Sequence, residues 1–197
     1  METKNKKQMI RRLVFGAILT ALIILLQLMG SFIRFGPFSI SLVLIPIIIG
    51  AATCGIKIGA WLGFVFGAVV LLSGDAAAFM SIDIFGTIIT VMVKGTACGL
   101  AAGFVYKALE KYNRYVAVIA AAIVCPIINT GIFLLGCAIF FLETLSEWGM
   151  AEGYTNVAAY MFLFLAGGNF LFELATNIIL SPVIMKVLNI EKNNSKL

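Results

Sequence analysis

Four polar side chains stand inside long apolar runs of this sequence: Lys94, Asn129, Asn169 and Glu173. Ionisable and amide groups are costly at the depth of a lipid bilayer, and in membrane proteins they mark ligand sites and transport pathways. Three of the apolar runs carry such groups at similar heights, as a binding pocket requires. We therefore predict a substrate-binding site formed by these four residues and Thr90.

The polar residues of two runs also recur at helical spacing. On the fourth run a polar stripe descends one helix face to the lysine through Asp83, Thr87, Thr90 and Lys94. On the sixth run a second face carries Asn169, Glu173 and Asn177. Residues spaced by three or four positions share a helix face, so both stripes are candidate access routes to the site.

A purely structural interpretation remains open for the same residues. Lys94 and Glu173 could pair only with each other, and an amide such as Asn177 could join two helices for about 1 kcal/mol. A charge at the bilayer centre costs about 3 kcal/mol before compensation. We therefore favour ligand contact for Lys94 and a structural role for Asn177.

The composition indicates a membrane protein. Hydrophobic residues make up 62% of the chain, charged residues 12%, and the mean hydropathy is +1.09. A bilayer core requires about 20 apolar residues per helical span. We predict one all-α domain over residues 1–197, with six transmembrane helices in a compact bundle. The predicted spans cover residues 10–32, 39–53, 56–73, 81–109, 115–142 and 157–188.

The second span is short and contains Pro46, which predicts a kinked or tilted helix. Its boundary with the third span, near Gly55, is the least well defined of the six.

The distribution of basic residues predicts the orientation. With six spans, one side of the membrane receives Lys4, Lys6, Lys7, Arg11, Arg12, Lys57, Lys107, Lys111, Arg114, Lys186, Lys192 and Lys196. The other side receives Arg34 together with Asp75, Asp83, Glu143, Glu147 and Glu152. By the positive-inside rule, both termini are cytoplasmic in a multi-pass protein of the cell membrane. The net charge of +5 then reflects topology and contact with anionic membrane lipid, and we expect no nucleic-acid partner.

Several chemistries are excluded by the residues that are missing. The sequence has no histidine, so the usual general base and the commonest metal ligand are absent. The cysteines Cys54, Cys98, Cys125 and Cys137 are isolated within apolar runs and are interpreted as small hydrophobic residues. No phosphate-binding loop of the G-x-x-x-x-G-K-[ST] type occurs. We predict a protein that is not an enzyme, hydrolyses no ATP itself and needs no cofactor or metal.

Small residues recur at every fourth position in three spans. The first span contains Ala17-x-x-x-Ala21, the third contains Gly55, Gly59, Gly63 and Gly67, and the fourth contains Gly95, Gly99 and Gly103. Such spacing allows helix backbones to approach closely. The glycine series describe a tightly packed bundle and are not specific for a function.

In order and spacing, the chain resembles the substrate-binding S components of energy-coupling factor (ECF) vitamin transporters along nearly its whole length. The resemblance rests on the basic start, Ala17-x-x-x-Ala21, Pro46 followed by Gly50, the Gly55 to Gly67 series, Pro126-Ile127-Ile128-Asn129-Thr130, Asn169-Phe170-Leu171-Phe172-Glu173, Asn177 and Ser181-Pro182. It implies that the chain captures a vitamin from outside, while a membrane T subunit and two ATPase subunits supply the energy. It also implies that Ala17 and Ala21 contact the T subunit.

The outer connections contain candidate lid residues. Arg34 and Phe35 belong to an aromatic, proline-containing connection that is similar in position to a gate in this family, and Trp148 lies in the last outer connection. An interfacial aromatic belt is the alternative for Trp148.

The substrate is the least constrained prediction. An ammonium at the site favours an anion, although Glu173 opposes one unless Lys94 neutralises it. The predicted midspan set holds amides and few aromatic residues, which suits a small polar molecule better than a flat ring. The segment from Pro46 to Gly67 resembles the pantothenate and folate members, so pantothenate is the first candidate.

Three other functions stay open. A ligand-free scaffold would need only the glycine series. A small secondary transporter is also possible, but inverted repeats are not evident. A membrane enzyme using Glu173 or Asp83 as acid or base lacks a nucleophile–base pair.

Overall fold

The computed structural model describes residues 2–30, 34–35, 38–39 and 42–194, and side-chain surroundings are described for residues 6–7, 9–30 and 42–190. Within these ranges the chain is helical apart from one two-stranded hairpin. The elements are α1 (Glu2–Gly30), β1 (Arg34–Phe35), β2 (Phe38–Ser39), α2 (Leu44–Cys54), α3 (Ile56–Leu72), α4 (Ala77–Met80), α5 (Ile84–Leu109), α6 (Arg114–Phe140), α7 (Leu142–Ala151), α8 (Val157–Ala159), a π-helical turn (Tyr160–Leu165), α9 (Gly167–Ile179) and α10 (Ser181–Asn194). The strands pair antiparallel, with Arg34 opposite Ser39.

Helix α5 is central in the bundle and packs along its length against α3 on one side and α6 on the other. The two glycine series of the sequence face each other across the α3–α5 contact. A Cβ added at Gly59 would lie 2.8 Å from the carbonyl oxygen of Gly99, and one added at Gly67 would lie 2.9 Å from that of Val91. Gly63 and Gly95 are in similar mutual contact. The glycines therefore bring the two backbones together, as the spacing predicted.

Among the residues that the structure describes, four helical segments are long and apolar enough to cross a membrane: Met9–Gly30, Ile84–Leu109, Arg114–Phe140 and Val157–Ile179. Three further apolar helical segments are shorter: Leu44–Cys54, Ile56–Leu72 and Ser181–Ile190. Gly55 separates α2 from α3 with a φ of 98°, a conformation that favours glycine. The chain is thus an all-helical protein with several membrane-spanning helices.

Pro46 does not kink α2. It lies in the first turn of the helix, which begins at Leu44, where a proline removes no intrahelical hydrogen bond. The kink that its position suggested is therefore absent.

The predicted last span, residues 157–188, is not one continuous α-helix. The π-helical turn Tyr160–Leu165 ends where the Ala166 N–H donates to the Met161 carbonyl, and α9 begins at Gly167. A second break follows at Leu180, directly before Ser181-Pro182. Proline is favoured in the first turn of a new helix rather than inside one.

Two buried clusters fill the bundle. The larger lies between α1, α2, α3, α5, α6 and α10 and includes the fully buried Phe66, Ile47 and Leu62. The smaller lies at the end of the bundle where α6, α7 and the π-helical turn meet, and it includes Phe79, Phe141 and Tyr160. The candidate site lies between these clusters.

Candidate functional site

A cavity with about 640 Å³ of space not filled by protein atoms, part of it open to the exterior, lies inside the bundle. Five helices and the connection between α3 and α5 contribute to its wall. Its lining residues are Gln27, Phe66, Val70, Asp75, Ala76, Phe79, Thr87, Thr90, Val91, Lys94, Asn129, Phe133, Phe141, Asn169 and Glu173. All five residues predicted for the substrate site are among them.

The lining residues share one end of the bundle. They come from the later halves of α1, α3 and α6, the earlier halves of α5 and α9, and the connection around Asp75. The basic residues lie at the opposite helix ends, at Lys57 in the first turn of α3 and around Lys111 between α5 and α6. The cavity therefore lies towards the end of the bundle that is remote from the basic residues.

Lys94 is half-buried and presents its ammonium to the cavity. Its Nζ lies 5.8 Å from the ring centre of Phe66 and 5.3 Å from that of Phe133. An ammonium within about 6 Å of a ring face is attracted by the π electrons. The Glu173 carboxylate also attracts it electrostatically. In the described part of the chain no direct salt bridge joins Lys94 to Glu173, so the ammonium keeps hydrogen-bonding capacity for a ligand.

Three buried oxygen atoms of the cavity have no hydrogen-bond partner: Thr90 Oγ1, Asn129 Oδ1 and Glu173 Oε2. All three side chains are at most 5% exposed. The Asn129 amide lies near the Glu173 carboxylate, where α6 packs against α9. Buried polar atoms are normally paired, so this side of the cavity carries oxygen atoms whose hydrogen-bonding capacity is unused within the protein.

Gln27 and Asp75 are cavity residues that the sequence prediction missed. The Gln27 amide nitrogen donates to Asp75 Oδ2 over 2.6 Å, linking α1 to the connection after α3. Gln27 stands alone among apolar neighbours and is 3% exposed, so the signal that identified Asn129 was available for it too. Asp75 lies in a connection between helices, so helical spacing could not predict that it faces the cavity.

The expectation of few aromatic residues in the site is wrong, because four phenylalanines line the cavity: Phe66, Phe79, Phe133 and Phe141. Their rings do not form a parallel pair that could hold a flat ring between them. Phe79 meets Phe133 at 86° and Phe141 at 72°, while Phe66 and Phe133 receive the Lys94 ammonium. The rings act as an apolar wall rather than a stacking slot.

Only part of the predicted stripes and lids reaches the cavity. Thr87 lines it and donates to the Asp83 carbonyl over 2.6 Å, whereas the Asp83 side chain does not contribute to the lining. Trp148 packs on the lining residue Phe79, with ring centres 5.9 Å apart, one layer outside the cavity. The side chains of Arg34 and Phe35 lie outside the described residues.

The remaining predicted residues lie elsewhere. Ala17 and Ala21 are exposed on the outer surface of α1. Asn177 is 2% exposed, and its amide nitrogen is 3.5 Å from the Ala122 carbonyl of α6. In the described ranges no three His, Cys, Asp or Glu side chains converge as metal ligands.

The fold and the cavity define a class: an all-helical, multi-pass membrane protein with a polar pocket between its helices. The family model described as "ECF transporter, substrate-specific component" matches residues 11–188. The chain therefore belongs to the substrate-specific components of ECF transporters. Members of this family are transport subunits of the plasma membrane rather than enzymes. No curated protein matches the sequence.

Proposed function

We propose that this chain captures a vitamin-sized molecule in the cavity around Lys94 and Glu173 and delivers it with an ECF T subunit and two ATPase subunits. The single observation that supports this best is the cluster of unpaired buried oxygen atoms beside a lysine ammonium in a cavity open to one side. A scaffold subunit would gain nothing from such a cluster, because unpaired buried polar groups destabilise a fold.

Pantothenate is the first candidate substrate. The Lys94 ammonium suits its carboxylate, and the edge-to-face phenylalanine rings favour an aliphatic ligand over a flat ring. The cavity opens at the end opposite the basic connections, which supports an arrangement of six spans with both termini in the cytoplasm and capture from outside.

Native mass spectrometry of the gently extracted protein tests the proposal. We expect a retained molecule of vitamin size, with the mass of pantothenate, on the wild type and its loss in Lys94→Ala. Lys107→Ala is the matched control, because Lys107 is exposed at the far end of the same helix and should leave the adduct in place. Wild-type protein that stays empty after supplying pantothenate and a vitamin mixture during expression would contradict the proposal.

A further inference from the structure

Two kinds of hydrogen-bonding group stand at different positions around Lys94 in the cavity. Lys94 on α5 offers only donors, because an ammonium has no acceptor. The unpaired atoms of Asn129 on α6 and Glu173 on α9 are oxygens. The pocket therefore presents a donor from one helix and acceptors from two others.

The orientation of the Asn129 amide follows from its neighbour. An ionised carboxylate only accepts hydrogen bonds, so the amide that interacts with Glu173 must turn its nitrogen towards that carboxylate. Its oxygen then points away from Glu173, and this is the atom without a partner. Of the Glu173 carboxylate, Oε2 has no partner. Two adjacent helices thus carry two unpaired acceptor atoms on residues that line the same cavity.

Thr90 extends the acceptor side. Its hydroxyl is buried without a partner, and its side chain packs closely against Gly136 of α6. A side chain at position 136 would collide with Thr90. The glycine therefore lets α6 approach α5 closely enough for Thr90 and Asn129 to line the same cavity. A hydroxyl can both donate and accept, so Thr90 adapts to whichever group the ligand presents.

We propose that the pocket selects its substrate by polarity: an anionic or carbonyl acceptor at Lys94, and at least two hydroxyl or N–H donors facing Glu173 and Asn129. This inference rests on the proposed function and adds the chemical class of the ligand. A molecule that enters the cavity can supply the hydrogen bonds that these buried oxygens lack. An analogue without donors leaves them unpaired, and sites built in this way reject such analogues by large factors.

Three probes separate the two ends of the ligand. Pantothenate carries a carboxylate at one end and two hydroxyls at the other. Panthenol replaces the carboxylate by a hydroxymethyl group, and 3,3-dimethylbutanoyl-β-alanine lacks both hydroxyls but keeps the carboxylate. Binding of each is measured by titration calorimetry on the purified protein in detergent.

On the wild type we expect the analogue without hydroxyls to bind about 100-fold more weakly than pantothenate. Glu173→Gln should reduce that ratio at least tenfold while leaving the preference for pantothenate over panthenol. Lys94→Met should remove the preference for pantothenate over panthenol while leaving the ratio between pantothenate and the analogue without hydroxyls. Glu110→Gln, at an exposed position beyond the far end of α5, is the matched control and should change neither ratio. A gel-filtration profile identical to the wild type keeps a misfolded variant from being read as a loss of binding.

Equal binding of pantothenate and the analogue without hydroxyls would overturn the inference and leave the proposed function intact. If pantothenate does not bind, the molecule retained in native mass spectrometry tests the inference instead. A retained molecule with fewer than two hydroxyl or N–H donors overturns it. Protein that binds no small molecule at all overturns the proposed function together with the inference.

Discussion

Lys94 has two possible roles at the residue scale, and its surroundings distinguish them. A lysine kept only for stability would form a close ion pair, because the cost of removing a charge from water is otherwise not recovered. Lys94 instead faces two phenylalanine rings, and Glu173 acts on it without a direct salt bridge. This arrangement leaves a charged donor at the cavity surface.

Replacing Lys94 by methionine tests this distinction through stability. Lys94→Met keeps an unbranched side chain of similar size beside Phe66 and Phe133 but removes the charge, so we expect the ligand-free protein to unfold at the same temperature or a higher one. Thermal unfolding in detergent, followed by gel filtration, measures it. A marked fall in unfolding temperature would mean that Lys94 serves the fold and would count against the ligand role.

At the scale of elements, the α3–α5 contact positions one part of the cavity wall. The glycine series lets the backbones of these helices touch, with Gly63 against Gly95, and Lys94 stands beside that contact. Phe66 lies one turn after Gly63, and its ring centre is thereby 5.8 Å from Lys94 Nζ. Small residues in one segment therefore position the chemistry of another.

Gly63→Ala should separate these helices. The added Cβ would collide with the backbone carbonyl of Gly95, and overpacking of this kind costs about 1–3 kcal/mol. We expect a lower unfolding temperature and weaker retention of the ligand. Gly131→Ala is the control, since a Cβ there meets nothing within 4 Å. Unchanged stability of Gly63→Ala would show that the contact is not tight.

The exposed face of α1 is the second element with a proposed role. Ala17 and Ala21 lie on its surface, and alanines at this spacing let another helix approach closely. We expect Ala17→Trp and Ala21→Trp to reduce co-purification of the T subunit at least tenfold while ligand binding persists. Ala138→Trp, at an exposed position on α6, should have no effect. Full co-purification with both α1 variants would place the interface elsewhere.

On the scale of the whole molecule, charge and cavity are separated along the bundle. The cavity opens at one end, and the connections rich in lysine and arginine lie at the other. A pocket that faced the cytoplasm would place this basic end outside, against the positive-inside rule. The orientation of the protein in the membrane therefore also determines the side from which the substrate is captured.

Cysteine labelling tests the orientation of the protein in the membrane. In a Cys54→Ala background, Thr155→Cys lies in the connection beside the cavity and Tyr112→Cys in the basic connection, both at exposed positions. A membrane-impermeant maleimide should label Thr155→Cys in intact cells and Tyr112→Cys only after permeabilisation. The reverse pattern would contradict capture from outside.

Much of the fold was predictable because lipid constrains composition so strongly. Apolar runs, helical structure and the close glycine contacts all follow from local sequence. The breaks at Ala166 and Leu180 were not predicted, although Gly167-Gly168 and Ser181-Pro182 stand directly after them, because the length and apolar character of the run favoured one continuous span. Their position depends on how the end of the chain packs against α6 and α7.

The sequence alone determined a helical membrane protein with a lysine, a carboxylate and amides in its interior, because polar residues stand out in an apolar chain. It did not reveal the phenylalanine wall or Asp75, since apolar lining residues look like any other apolar residue and a connection carries no helical spacing. Only the tertiary structure brought six segments of the chain around one cavity. Which oxygens remain unpaired, and therefore which hydrogen-bonding groups the proposed ligand would offer, depends on contacts between helices far apart in the chain.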